Sequence, residues 1–150
     1  MSEKVVASNR RARHEYFIFE TFEAGIALHG SEIKSIRAGQ ISLSEAFVRI
    51  DGNEAWLEDA HIAPYEQASI YNHEPRRPRK LLLHSAEIRK LWNTVRQKGV
   101  TIIPLSVYLK DGKAKVEIAV AKGKKLYDKR AELAKRDTQR EIERHLNVRR

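Results

Sequence analysis

Residues 121–130 read Ala-Lys-Gly-Lys-Lys-Leu-Tyr-Asp-Lys-Arg, one tyrosine set among five cations. Lys124, Lys125, Lys129 and Arg130 can neutralise phosphates. Tyr127 can stack on a nucleobase, a contact worth about 1–3 kcal/mol that tolerates any base sequence. Asp128 can fix the local turn or accept hydrogen bonds from RNA. A solvated tail would use the same charges only to stay in water, and it leaves Tyr127 with no role. The stretch lacks the spacing and the Ser/Thr of a phosphate-binding loop, so a nucleotide site is not expected there.

Catalytic patterns are not legible elsewhere. The six histidines, at 14, 29, 61, 73, 84 and 145, form no HExxH motif or other tight metal-ligand spacing. No nucleophile elbow is present. Cysteine is absent, which excludes disulfides, zinc–thiolate sites and thiol catalysis. The neighbours His14-Glu15 and His73-Glu74 could serve acid–base chemistry, although such pairs are more often surface or strand residues. We expect no metal site, no cofactor and no enzymatic activity.

Charge is distributed unevenly along the 150 residues, whose net charge is +9. Residues 1–13 carry +3, residues 14–122 carry +1 and residues 123–150 carry +5. A nearly balanced body is an ordinary folded surface, whereas cationic ends commonly meet nucleic acid or acidic lipid. Neither end has the broad apolar face of a membrane-surface helix. No apolar run approaches the roughly 18–20 residues that span a bilayer, and the start lacks the apolar core of a secretory signal. A monomeric cytoplasmic protein is expected, with a basic arm (1–13), a folded body (14–122) and a basic tail (123–150).

The body that would position these groups reads mostly as strands. Residues 14–22 are rich in aromatic and β-branched types. Residues 47–50 and 54–57 flank Asp51-Gly52-Asn53, and residues 101–110 and 113–122 flank Asp111-Gly112; both are hairpin signals. Residues 80–84 read as a short buried strand. In the last strand Ala114, Val116, Ile118 and Val120 alternate with Lys113, Lys115, Glu117 and Ala119, which gives it one apolar face. Helices are expected over residues 24–37, ending at Gly39, and from Ser85 as cap to Gly99, with Ile88, Leu91, Trp92 and Val95 on one side. Such a mainly β chain with two tucked helices is expected to close into an OB-like antiparallel barrel, which removes its sheet edges. The tail favours helix by composition, yet Leu126, Leu133, Ile142, Leu146 and Val148 make a thin apolar stripe. We expect it to be disordered when free and helical once bound.

Four blocks resemble one family along nearly the whole chain: Asn9-Arg-Arg-Ala-Arg-His-Glu-Tyr16; Phe22-Glu-Ala-Gly-Ile-Ala-Leu28 leading into Gly30-Ser-Glu-Ile-Lys-Ser-Ile-Arg37; Arg79-Lys-Leu-Leu-Leu-His84; and Val116 through Gly123-Lys-Lys-Leu-Tyr-Asp-Lys-Arg130. In this order and spacing they are similar to small protein B, the partner of transfer-messenger RNA in ribosome rescue. Ile33 and Ile36 stand where that family often has Val and Leu, and Tyr127 fills a position commonly His or another aromatic. The resemblance implies a non-catalytic adaptor with an OB-fold barrel. It would bind the tRNA-like domain of transfer-messenger RNA and deliver it, with elongation factor Tu and GTP, to a stalled ribosome. Its tail would enter the empty messenger channel of the small subunit and meet ribosomal RNA there.

By the same resemblance Glu23, Leu82 and Lys115 face the RNA, with Asn9 and Arg37 near them. Lys124, Lys125, Tyr127, Asp128, Lys129, Arg130, Ile142 and Leu146 serve the tail on the ribosome. The residues themselves leave alternatives open. Lys115 on a polar strand face could contact phosphate or simply be solvated. Glu23 could accept from base edges or 2′-hydroxyls, or cap the segment that follows. Leu82 could be core or an outward residue packing on RNA. Another ribosome-associated OB protein, or a basic ribonuclease using His14 or His73, remains a competing reading.

Overall fold

The computed structural model describes residues 3–65 and 72–124. Period-2 alternation is clearest over residues 18–26 and 113–118. Strand β2 (Tyr16–Ile26), β8 (Val100–Lys110) and β9 (Lys113–Gly123) each run 11 residues. Strands β8 and β9 join through Asp111 (φ 51°) and Gly112 (φ 80°), both left-handed, as a two-residue hairpin turn requires. Strands β4 (Phe47–Asp51) and β5 (Glu54–Glu58) form the second expected hairpin, with Gly52 at φ 59°. Strand β7 (Arg79–Leu82) completes this set. With β1 (Glu3–Ser8) they make one antiparallel sheet, ordered β1-β8-β9-β2-β7-β5-β4. Strands β3 (Ile41–Ser42) and β6 (His61–Ile62) pair separately.

The sheet curls until β4 lies against β8. Inside the curl Leu57, Leu81, Ile102, Val107, Val116 and Ile118 are almost wholly buried. Ile36 of α2 (Gly30–Arg37) and Leu91 of α3 (Ser85–Val95) join the same core. A smaller cluster on the other face sets Ala12 of α1 (Ala12–Glu15) against Ile103, Leu105, Ala119 and Ala121.

Several expectations change at this point. Much of the stretch read as a basic arm is built into the sheet, since β1 pairs with β8 along its length. The helix expected over 24–37 begins only at Gly30; Ala24 and Ile26 alternate inward and carry β2 on to Ile26. The strand expected from residue 14 begins at Tyr16, after α1. Ser85 is the first helical residue rather than the cap. His84 takes that place, its backbone N–H donating to Glu87 Oε1 at 3.1 Å. The same device opens α2, where the N–H of His29 donates to Glu32 Oε1 at 2.8 Å.

Glu32 and Arg79, both fully buried, form an ion pair absent from the sequence reading. Arg79 Nε donates to Glu32 Oε2 at 2.6 Å, and its Nη1 donates to the carbonyl of Ala60 at 2.7 Å. Its Nη2 donates to the carbonyl of Pro75 at 3.0 Å, and Arg77 adds a second guanidinium on Glu32. The pair thereby ties α2, β7 and the turns around residues 60 and 75 into one unit. His73 reinforces it, with Nδ1 2.8 Å from Ser31 Oγ and Nε2 2.9 Å from the carbonyl of Ile62. Both ring nitrogens of the histidine considered for acid–base chemistry are therefore held by the scaffold.

Burial pushes the Glu32 carboxyl up, but hydrogen bonds from Arg77, the His29 N–H and Arg79 outweigh it and hold it below the usual range. Removing one member of a buried pair leaves the other uncompensated, so Glu32→Ala is expected to lower stability by roughly 3–5 kcal/mol in urea unfolding. A depressed folded-state value means the stabilisation is complete above the unfolded carboxylate range and lost as pH falls through the folded value. The urea midpoint should decline over that acid window, and less steeply in Glu32→Ala. An unchanged midpoint in the variant would contradict the role given to the pair.

Candidate nucleic-acid interface

The inward residues of three adjacent strands dictate what their neighbours present outward. On β2, Ala24 and Ile26 are buried, so Glu23 and Gly25 face out. On β7, Arg79 and Leu81 are buried, so Lys80 and Leu82 face out. On β9, Ala114 and Val116 are buried, so Lys115 and Glu117 face out.

Register then sets these side chains side by side. Gly25 lies opposite Lys115 on one flank and Leu82 on the other. Lys115 lies opposite Tyr108, and Tyr108 opposite Val5. One row therefore crosses five strands: Val5, Tyr108, Lys115, Gly25, Leu82. Leu82 is 55% exposed, an outward leucine rather than core. A Cβ at Gly25 would lie 3.2 Å from Leu82 Cβ, so the glycine lets Leu82 lie low across β2. Glu23, Gly25, Lys80, Leu82, His84 and Lys115 line a groove of about 540 Å³.

Glu23 sits directly opposite Glu117 on β9, a like-charge pairing that destabilises unless compensated. The Tyr108 hydroxyl donates to Glu23 Oε2, and Lys110 Nζ lies 3.6 Å from the same oxygen. The Tyr108 hydrogen bond, helped by Lys110 and Lys115, holds the Glu23 carboxyl below its usual range. Burial, and then the bond to Glu23, push the Tyr108 phenol well above its ordinary value. The face thus combines an anchored carboxylate, three lysines (Lys80, Lys110 and Lys115) and an exposed leucine.

Three of the five expected body residues meet here: Glu23, Leu82 and Lys115. Asn9 does not. Its Nδ2 donates to the carbonyls of Pro104 (3.2 Å) and Leu43 (3.4 Å), and its N–H donates to Leu105 (2.7 Å), so it clamps the turn after β1. Arg37 is exposed at the end of α2, without a hydrogen-bond or ion-pair partner among the described residues. Lys124 lies past the end of β9 with Nζ 5.3 Å from the centre of the Phe17 ring. Lys125, Tyr127, Asp128, Lys129, Arg130, Ile142 and Leu146 lie outside the described residues. Tyr108 and Lys110 were missed, yet a two-residue turn at Asp111-Gly112 already sets Lys110 against Lys113 and Tyr108 against Lys115. Gly25 was missed as well, because its neighbours come from strands distant in sequence.

Residues 6–148 match the family described as SmpB protein. The chain belongs to the SmpB family. Among its relatives, the SsrA-binding protein of Desulforudis audaxviator (strain MP104C) is 61% identical over 142 residues, covering 95% of this chain and 93% of that protein. The SsrA-binding protein of Roseiflexus sp. (strain RS-1) is 62% identical over 148 residues, covering 98% and 94%. A chain of the solved structure described as "tmRNA-SmpB: a journey to the center of the bacterial ribosome" is 52% identical with a TM-score of 0.68, and the match covers 79% of this chain and 83% of that one.

Spectrophotometric titration checks the anchored carboxylate in this SmpB-family chain. The Tyr108 phenol should ionise only well above the ordinary range, and Glu23→Ala should bring it back toward that range. Ionisation of Tyr108 in the ordinary phenol range, unchanged by Glu23→Ala, would contradict the Tyr108–Glu23 bond.

Proposed function

We propose that this chain is an RNA-binding adaptor of ribosome rescue: its curled sheet grips the tRNA-like domain of transfer-messenger RNA, and its C-terminal segment reports on the ribosome. The observation that carries the reading is the row Lys115–Gly25–Leu82, with Glu23 beside it, in a chain of the SmpB family whose relatives are named SsrA-binding proteins. The curl that brings β4 against β8 supports an OB-type barrel. A structured RNA is read largely by backbone shape and 2′-hydroxyl contacts, which suits a body of nearly balanced charge with a few well-placed groups. Lys115 contacts phosphate, Leu82 packs on the RNA and Glu23 accepts a hydrogen bond. Asn9 supports this face by fixing the turn after β1, and Arg37 stands on a separate element as an accessory cation.

The tail reading completes the adaptor. Lys124, Lys125, Lys129 and Arg130 neutralise phosphates, Tyr127 stacks on a base and Asp128 fixes the turn. Ile142 and Leu146 belong to the segment that becomes helical in a vacant messenger channel. A message already in place excludes it sterically, which confines the adaptor to stalled ribosomes. Elongation factor Tu with GTP accompanies the charged RNA, and the work takes place in the cytoplasm.

Binding and transfer should separate. Lys115→Ala is expected to weaken binding of the tRNA-like domain and to lower the log–log salt slope by about one unit or less; an unchanged slope removes Lys115 from the phosphate contacts. Tyr127→Ala, or Asp128→Ala with Lys129→Ala, should leave that binding near wild type and abolish alanine transfer on stalled ribosomes. Loss of RNA binding in the tail variants would refute the division of labour.

A further inference from the structure

On a surface meant for RNA a carboxylate is out of place unless it serves as an acceptor, because it repels phosphate. Glu23 can do so only if its side chain is held, since an exposed glutamate has considerable rotamer freedom to lose on binding. The structure supplies the restraint. Both contacts to Glu23, from the Tyr108 hydroxyl and from Lys110 Nζ at 3.6 Å, fall on Oε2. Oε1 has no hydrogen-bond partner among the described residues. Tyr108 is only 5% exposed, so its ring is part of the sheet and its hydroxyl works through Glu23. Lys110 and Lys115 flank the carboxylate and offset its charge toward nearby phosphates. The strand register fixes every member: Tyr108 opposite Lys115, Lys115 opposite Gly25, and Glu23 two residues from Gly25 on the same face.

We propose that Tyr108 is a positioning residue for RNA recognition: it anchors one oxygen of Glu23 so that the other is presented to a hydrogen-bond donor of the RNA, a base N–H or a ribose 2′-hydroxyl, beside Lys115 and Leu82. This deepens the RNA-binding reading above and rests on it. Loss of the phenol hydroxyl frees the carboxylate to rotate away from the donor, and the ordering of its side chain must then be supplied on binding. The contact is between neutral and charged hydrogen-bonding groups and releases no counterions, so its loss leaves the salt dependence unchanged.

The test is fluorescence anisotropy of full-length chain with a transcript of the tRNA-like domain, across a salt series and as a double-variant cycle. Tyr108→Phe is expected to weaken binding about three- to tenfold with an unchanged salt slope. In a Glu23→Ala background the same substitution should cost nothing further. An equal loss in both backgrounds would mean that Tyr108 acts through the sheet alone, and it would overturn the proposal even if the fold had loosened. Unchanged affinity in Tyr108→Phe, with Leu82→Ala and Lys115→Ala both weakened, overturns the positioning role and leaves the RNA-binding reading standing. If none of the three weakens binding, both fall. Single 2′-deoxy substitutions through the RNA identify the donor: one that weakens the unchanged chain but not Glu23→Ala marks a ribose hydroxyl, and none doing so marks a base.

Discussion

The register of β2 against its two neighbours is the constraint on which the proposed binding face depends. Side chains alternate strictly across a sheet, so a slip of one residue would turn the whole outer set inward. Here the slip is blocked from inside. Ala24 and Ile26 of β2, Val116 and Ile118 of β9 and Leu81 of β7 all lie in one core. Full burial of a leucine or isoleucine is worth about 1.5–3 kcal/mol, and a slipped register would forfeit several such terms together. The outer positions are consequences of that core.

Strand β7 shows how far the constraint reaches, for it is only four residues long. Two of the four are fixed from within: Leu81 by the core and Arg79 by the buried pair with Glu32. Lys80 and Leu82 then have nowhere to go but outward. A buried ion pair gains little net stability against apolar replacements, so its value lies elsewhere. The fork of Arg79 reaches Glu32, Ala60 and Pro75 together, joining α2 and two turns to the strand that exposes Leu82. Gly25 completes the arrangement, because any side chain there would press on Leu82.

What the sequence made legible was local. The turn Asp111-Gly112 announced the β8–β9 hairpin and, through its two-residue length, the pairing of Tyr108 with Lys115. The alternation in residues 113–120 placed Lys115 on the outer face. Pairings between distant segments were not legible: Gly25 with Leu82, β1 with β8, and Glu32 with Arg79, which stand 47 residues apart. Gly25, in Phe22-Glu-Ala-Gly-Ile-Ala-Leu28, fell inside the helix expected over residues 24–37, because its strand partners could not be seen. Asn9 showed the reverse. Family resemblance put it near RNA, while its amide is occupied by the carbonyls of Leu43 and Pro104.

A packed core fixes the register, the register assembles one mixed surface, and that surface suits the backbone and edges of a folded RNA. On the proposed reading this RNA lands on the outer side of β9, β2 and β7. Nuclear magnetic resonance of isotope-labelled full-length chain, titrated with the tRNA-like domain, measures this most directly. Within residues 3–65 and 72–124 the largest shifts are expected at Gly25, Leu82, Lys115 and Tyr108, with α2 and the β3–β6 pair nearly silent. Large shifts confined to α2 and the β3–β6 pair, with Gly25 and Leu82 unmoved, would contradict it.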